Sequence, residues 1–146
     1  MLKGLLIRWL VLKDVPEVLS LESRCFEFSW SENDFLVCLR QRNCIGMVAV
    51  VRDRVIGYMI YELHRNMLHV LTFATDPDYQ RRGVGHALFD QLTNNITQQR
   101  RNCLRLDCRE TNLAAQLFFK SQGCRCIEVL PHLYDDTDED AYRFEY

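Results

Sequence analysis

The stretch Gln80-Arg81-Arg82-Gly83-Val84-Gly85 puts two cations and two glycines directly after the strand-like run Leu68 to Thr75 and the breaker Asp76-Pro77-Asp78. An extended segment stops, the glycines let the backbone turn tightly, and an amphipathic helix begins. Such a turn leaves the first N–H groups of the helix without intrahelical acceptors and aims them at one small volume. The positive end of the helix dipole and two arginines add to the field there, so the chemistry indicated is capture of a phosphate or pyrophosphate. Two other phosphate loops do not fit. No Lys-Ser or Lys-Thr follows the glycines, as a P-loop requires, and Leu88 stands where a dinucleotide fingerprint places its third glycine. What remains is Gln/Arg-x-x-Gly-x-Gly/Ala between a strand and a helix; a glycine-rich turn without a ligand is the alternative.

Other residues with chemical potential are scattered. Asp107 lies on an alternating segment, and His64, His69 and His132 could titrate near neutrality, although each type is more often structural. Asp135, Asp136, Asp138, Glu139 and Asp140 put five acids within six residues. Such a run is usually a solvated loop; beside a substrate groove it would attract a cationic amine. Seven cysteines are an odd number at irregular spacings, several of them (Cys38, Cys44, Cys103, Cys108) inside apparent core elements. Cys124 and Cys126 have neither a C-x-x-C partner nor spaced histidines, so no zinc site and no metal requirement is indicated. A reducing cytoplasm is the simplest compartment.

The elements that must position these groups follow from periodicity. The 146 residues, 48% hydrophobic with a net charge of −2, suit one domain over 1–146 and lack the basic excess of a general nucleic-acid binder. No run approaches the length of a membrane span, and the apolar start, broken by Arg8, reads as a strand rather than a leader. Residues 4–12 are predicted as a strand and 15–27 as a helix capped by Asp14. A second helix opens at Ser31, with Asp34 at the capping-box position and Trp30 stapled to Phe35. Strands follow at 45–51 and 54–64, and at 67–75 with His69, Leu71, Phe73 and Thr75 facing one way. Val84, Leu88, Leu92 and Ile96 give the next helix one buried face. Leu104, Leu106 and Cys108 alternate with charged residues as a strand, Asn112 to Gln122 is a short helix stopped by Gly123, and 124–130 and 141–146 close the sheet. The fold class is α/β (α+β), a mostly antiparallel sheet flanked by helices in the order β-α-α-β-β-β-α-β-α-β-β.

That order, the Asp76 to Gly85 segment, Phe28-Ser29-Trp30-Ser31-Glu32 and Leu106-Asp107-Cys108-Arg109-Glu110-Thr111-Asn112 together resemble the GNAT N-acetyltransferases over essentially the whole chain, closest to the RimI alanine N-terminal acetyltransferases; Tyr134 with Glu139-Asp140-Ala141 is a weaker match. The resemblance implies acetyl-CoA as acetyl donor and a protein N-terminus, a ribosomal protein in that family, as acceptor. A small-molecule amine or lysine acceptor, and a non-catalytic acyl-CoA-binding module, are the alternatives. It further implies that Phe73, Ala74 and Thr75 pair with the pantetheine arm, that Arg81, Arg82, Gly83, Val84, Gly85 and His86 hold the pyrophosphate, and that an N–H near Ala74 meets the oxyanion. Asn112 would lie near the thioester, a plain helix cap being its alternative. The family's general-base glutamate is replaced by Asp107, one methylene shorter and expected to act through a bridging water. Its general-acid tyrosine is replaced by Phe119, which cannot donate a proton and leaves Tyr134 as the substitute acid. His69, on the strand beside the thioester, is the second choice of base. Phe26, Phe28 and Trp30 line the acceptor groove or simply pack the helices.

Overall fold

The structure, a computed structural model, describes residues 2–98, 102–133 and 138–146. The elements follow the expected order: β1 Leu6–Trp9, α1 Val15–Cys25, α2 Glu32–Leu39, β2 Cys44–Val51, β3 Arg54–Leu63, β4 Met67–Thr75, α3 Val84–Gln98, β5 Cys103–Arg109, α4 Leu113–Ser121, β6 Arg125–Leu130 and β7 Ala141–Glu145. Among the described residues, seven strands form one sheet in the order β1-β2-β3-β4-β5-β7-β6. Every neighbouring pair is antiparallel except β4–β5. Val18 and Leu21 of α1 and Phe35 of α2 pack with Val48, Tyr58 and Ile60 on one face. Val84, Leu88 and Leu92 of α3 and Phe119 of α4 pack with Met59, Tyr61 and Leu106 on the other.

Local chemistry explains most boundaries. Arg52 and Asp53 both adopt left-handed φ (52° and 62°), the turn that lets β2 and β3 join through two residues. The capping box at Ser31 forms: Asp34 N–H donates to Ser31 Oγ at 3.2 Å and Ser31 N–H to the Asp34 carboxylate at 2.8 Å. Trp30 staples onto Phe35 with ring centroids 5.1 Å apart. β1 is shorter than expected because Asp14 draws the chain inward. Its carboxylate takes both guanidinium nitrogens of Arg8 (2.8 and 2.9 Å) and the Val11 N–H (2.9 Å). That carboxylate therefore makes no capping bond to α1.

Two departures within the sheet matter for function. Ile60 pairs with Thr72 but Tyr61 with Val70, so Leu71 is an extra residue in β4. This bulge breaks the alternation: Leu71 packs with the α1–α2 layer, whereas Phe73 packs towards α4. The expectation that His69, Leu71, Phe73 and Thr75 share a face is therefore corrected, because a bulge shifts side-chain phase by one residue. Secondly, the parallel pairing of β4 with β5 runs from Met67–Cys103 to Val70–Leu106 and goes no further. Beyond it β4 continues to Thr75 along β3, and β5 continues to Arg109 along β7, so the two strands part and open a cleft.

Asp76 anchors the far end of β4. It is 1% exposed, takes the Arg24 guanidinium of α1 through both oxygens (2.8 and 3.2 Å), and accepts the Asp78 N–H at 2.9 Å. Burial pushes its carboxyl up, but the Asp78 N–H and Arg24 outweigh it and hold it below the usual range. Asp76→Ala should lower Tm by roughly 5–10 °C, the scale of losing a buried, multiply bonded charge in a chain of this size. A thermal melt followed by circular dichroism measures it, and an unchanged Tm would remove Asp76 as the anchor.

Candidate active site

The cradle begins where β4 ends. Pro77–Tyr79 form one 3-10 turn capped by Asp76, and the Arg82 guanidinium lies 5.5 Å from the Tyr79 ring centroid. Arg81 and Gly83 then adopt left-handed φ (62° and 86°), reversing the chain into α3. Ala87 N–H donates to Gly83 O at 3.0 Å, which makes Gly83 the cap. Val84, Gly85 and His86 thus form the first helical turn, whose N–H groups point along the axis beyond any intrahelical acceptor. Gly85 has a second reason to be glycine. A Cβ there would stand 3.0 Å from two carbons of the Phe118 ring and 3.6 Å from Thr75 Oγ1, so α3, α4 and the end of β4 meet at this point.

The main chain of β4 supplies the adjoining edge. Asp76 N–H donates to Ile56 O of β3 at 2.7 Å. Because strand groups alternate in direction, the peptide groups of Ala74 also face β3, while those of Phe73 and Thr75 face the side where β5 has left. The expected N–H near Ala74 is therefore not that of Ala74 itself, which serves the sheet. Of these two residues Phe73 is the nearer in sequence to the fork, which opens after the Val70–Leu106 pair.

The cleft between the parted strands has a volume of about 160 Å³ and is lined by Phe73, Asp107, Asn112 and Phe119, with Phe28 and Trp30 opposite. A larger hollow of about 400 Å³ lies at the opposite end of the sheet, around Trp9, Leu39 and Ile45. Its lining is mostly apolar and includes no carboxylate or imidazole, so it offers no acid–base chemistry. Asn112 caps α4, accepting the Ala115 N–H at 3.2 Å, and lines the cleft as well, so its two readings are compatible. Phe119 is 5% exposed, with its ring 5.3 Å from Phe73 and 6.1 Å from Phe89. It is part of the apolar floor. Trp30 likewise both staples α2 and lines the cleft. Tyr134 lies outside the described residues, as do Asp135 and Asp136. Within the rest of the acidic run, Glu139 binds Arg109 at 3.1 Å and Asp140 accepts the His132 N–H at 3.2 Å. Glu139 thus ties its segment to the end of β5, and Asp140 ties it to His132.

Asp107 is the charged centre of the cleft. Arg143, its cross-strand partner on β7, grips it through two nitrogens, Nε to Oδ1 at 2.9 Å and Nη2 to Oδ2 at 3.2 Å. His69 Nε2 stands 3.6 Å from Oδ2. Burial pushes the Asp107 carboxyl up, but the nearby His69 ring and the hydrogen-bonded Arg143 guanidinium together outweigh it and hold it at about 2. Next to it, Cys108 points into the core and burial pushes its thiol up to about 12, so it is not a nucleophile. Glu22 was invisible as a candidate. It is 2% exposed and accepts the Tyr58 hydroxyl, the Thr72 hydroxyl (3.1 Å) and the Trp30 N–H (3.0 Å), tying the aromatic wall to the sheet. Arg143 was missed too; its position only means something once β7 is known to pair with β5.

The family model for the Acetyltransferase (GNAT) family matches residues 15–124. The chain belongs to this family. The alanine N-acetyltransferase of ribosomal protein bS18 from Escherichia coli K12 is 28% identical over 130 residues, covering 88% of this chain and 87% of that one. The crystal structure of the E. coli ribosomal-protein-S18-alanine N-acetyltransferase superposes with a TM-score of 0.87 at 26% identity, over 97% of this chain and 92% of the other. Ard1 from Thermoplasma volcanium superposes with a TM-score of 0.90 at 27% identity, over 98% and 97%. This GNAT protein is an acetyl-CoA-dependent N-acetyltransferase. No helix among its described residues is long and apolar enough to cross a membrane.

Proposed function

We propose that this enzyme acetylates the α-amino group at the N-terminus of a protein chain. The observation that carries the reading is the fork between β4 and β5. One side presents the main-chain edge of Phe73 and Thr75 that β5 has left; the other presents an ionised carboxylate, Asp107. The first turn of α3, with Arg81, Arg82, Gly83, Val84, Gly85 and His86, holds the diphosphate of acetyl-CoA. The Phe73 to Thr75 edge receives the pantetheine arm as an added strand, and Asn112 borders the thioester. The aromatic wall of Phe28 and Trp30, locked by Glu22, takes the first residues of the acceptor.

In this arrangement the chain supplies charge placement more than proton abstraction. A carboxylate held at about 2 is a weak base, since an effective base has its pKa near the working pH. Asp107 accepts a hydrogen bond from the incoming amine, directly or through one water, and balances the positive charge the nitrogen gains as it attacks the thioester carbon. Phe73 N–H stabilises the oxyanion. The proton shed by nitrogen passes through water, with His69 beside Asp107 as the nearest side chain able to carry it. Phe119 offers no acid, so CoA departs as thiolate, tolerable for a thiol of pKa near 8.5. Tyr134, in the segment between β6 and β7, is the proposed source of the proton that the thiolate takes up after it has left.

Such a site selects its amine. An α-amino group with pKa about 7.7–8.0 is roughly 10–15% neutral at pH 7, whereas lysine at about 10.4 is neutral under 0.1% of the time. Weak base assistance thus disfavours lysine by about two orders of magnitude. The bS18-alanine acetyltransferases among the relatives agree with an N-terminal acceptor. A thiol-release assay with acetyl-CoA should show turnover of short peptides with free N-terminal Ala or Ser, and none of N-terminally blocked peptides that contain lysine. Turnover confined to blocked lysine peptides or small amines overturns the acceptor assignment; acetyl-CoA binding without turnover of any amine makes the protein an acyl-CoA-binding module.

A further inference from the structure

Glu62, His64 and His69 form a second group of chemically able side chains, on the β3–β4 hairpin outside the cleft lining. Glu62 and His69 are direct cross-strand partners, so their side chains leave the same face of the sheet. His64 sits in the connecting turn, which its own N–H closes on Met67 O at 2.9 Å. Glu62 Oε1 lies 3.2 Å from His64 Nε2 and 3.7 Å from His69 Nδ1, and one donor atom from each residue lies within 4.8 Å of the others.

We propose that these three residues bind a divalent transition-metal ion of the zinc class. Bonds of 2.0–2.2 Å at tetrahedral angles put neighbouring donors about 3.3 Å apart. The two separations from Glu62 already bracket that spacing, and the remaining His64–His69 gap closes by moving His64, a half-exposed side chain on a turn. The donor set selects the ion. Two imidazoles and one carboxylate suit zinc, cobalt or nickel, whereas calcium and magnesium need more oxygens than the hairpin offers. The outer contacts are in place as well. His69 turns its Nε2 to Asp107, which Arg143 holds rigid, and this leaves Nδ1 directed to the cluster. A carboxylate behind a ligating imidazole, fixing its tautomer, is how metal-binding histidines are oriented. The residues are 62, 64 and 69, a spacing that matches no linear metal motif; only the hairpin register unites them.

Three protein ligands leave a fourth position open to solvent or a further ligand, with the His69 ring between the metal and Asp107. A metal held there ties up His69 and places positive charge one imidazole ring away from Asp107, so the ion should inhibit transfer. That consequence depends on the reaction proposed above; the binding does not.

The test is a Co²⁺ titration of the full-length reduced protein in a non-chelating buffer, read by visible absorption. One equivalent should give the intense ligand-field bands of tetrahedral cobalt without the near-ultraviolet charge transfer of thiolate ligation, which sets the seven cysteines aside. His64→Ala, an exposed turn substitution that leaves the sheet intact, should weaken binding at least tenfold. Asp107→Asn should weaken it roughly 10- to 100-fold, the range for losing an outer-shell partner. Absence of a tetrahedral spectrum at any excess of Co²⁺, a thiolate-type spectrum, or binding that His64→Ala leaves unchanged would each overturn the site. No acetyl transfer enters the readout, so an inactive enzyme leaves the question answerable.

Discussion

Asp107→Asn should lower kcat/KM for N-terminal peptides by about 10²–10³-fold near neutral pH, the effect expected of removing a group that meets the amine in the transition state. The replacement keeps shape and hydrogen-bonding length but removes the charge that balances the attacking nitrogen. Asp107→Glu, which restores the family's usual side chain, should stay within about tenfold of wild type. Steady-state kinetics on the same peptide decide the matter, and an Asn variant as active as wild type removes Asp107 from the mechanism.

Stability supplies an independent check on the same variant. The Asp107 carboxyl falls from its ordinary 3.8 to about 2 in the folded protein, and a depressed folded value means stability that is present above the unfolded pKa. Net of the burial cost, the contacts with His69 and Arg143 therefore contribute about 2 kcal/mol at neutral pH. That contribution is lost as pH falls from near 4 through about 2, because the proton then neutralises the carboxylate in both states. Denaturant unfolding should show wild type more stable than Asp107→Asn at pH 7 and the gap closing towards pH 2. A gap that does not change with pH would mean the pair is packing rather than charge.

Gly85→Val should abolish measurable acetyl-CoA binding, raising Kd at least 100-fold by calorimetry, while the protein still folds. A Cβ at this position already meets the Phe118 ring at 3.0 Å, tighter than nine in ten such contacts, and valine adds two methyl groups. The ring is half-buried and packs against Phe73 and Phe119, so the first turn of α3 must tilt away from α4 to relieve the contact. The N–H groups of Val84, Gly85 and His86 then no longer converge, and convergence is what makes a helix start bind a diphosphate. Ala87→Gly on the same helix, outside the first turn, is the control for general loosening of α3. Unchanged affinity in Gly85→Val would place the diphosphate elsewhere.

What could be read from the chain and what could not divide along sequence distance. The turn at Arg52-Asp53, the Ser31–Asp34 box, the Trp30–Phe35 staple and the buried stripe of α3 depend on residues within a few positions of one another. Their chemistry is local, so composition and spacing reveal it. The cradle was legible for the same reason: strand, glycines and helix follow in one short segment. The bulge at Leu71 was not, because it consists in a register difference between two strands that no single strand displays. Arg143 and Glu22 escaped for a related reason. Arg143 acquires meaning from a partner 36 positions away, and Glu22 from Tyr58 and Thr72, 36 and 50 positions away. The short first strand was a different error: apolar residues suggested a longer one, but Asp14 recruits Arg8 and the Val11 N–H and folds the chain over before the pattern runs out.

The extra residue at Leu71 carries a consequence for how this protein can vary. Upstream of it β4 sends Leu68 and Val70 towards α3; downstream it sends Phe73 the same way, and only the inserted position makes odd and even numbers compatible. Loss of that one codon would exchange inside for outside along the last four residues, turning Thr72 away from Glu22 and Phe73 away from the aromatic floor. The strand thus behaves as a frame-sensitive segment: substitutions are graded in their effect, whereas a gain or loss of a single residue is all or nothing.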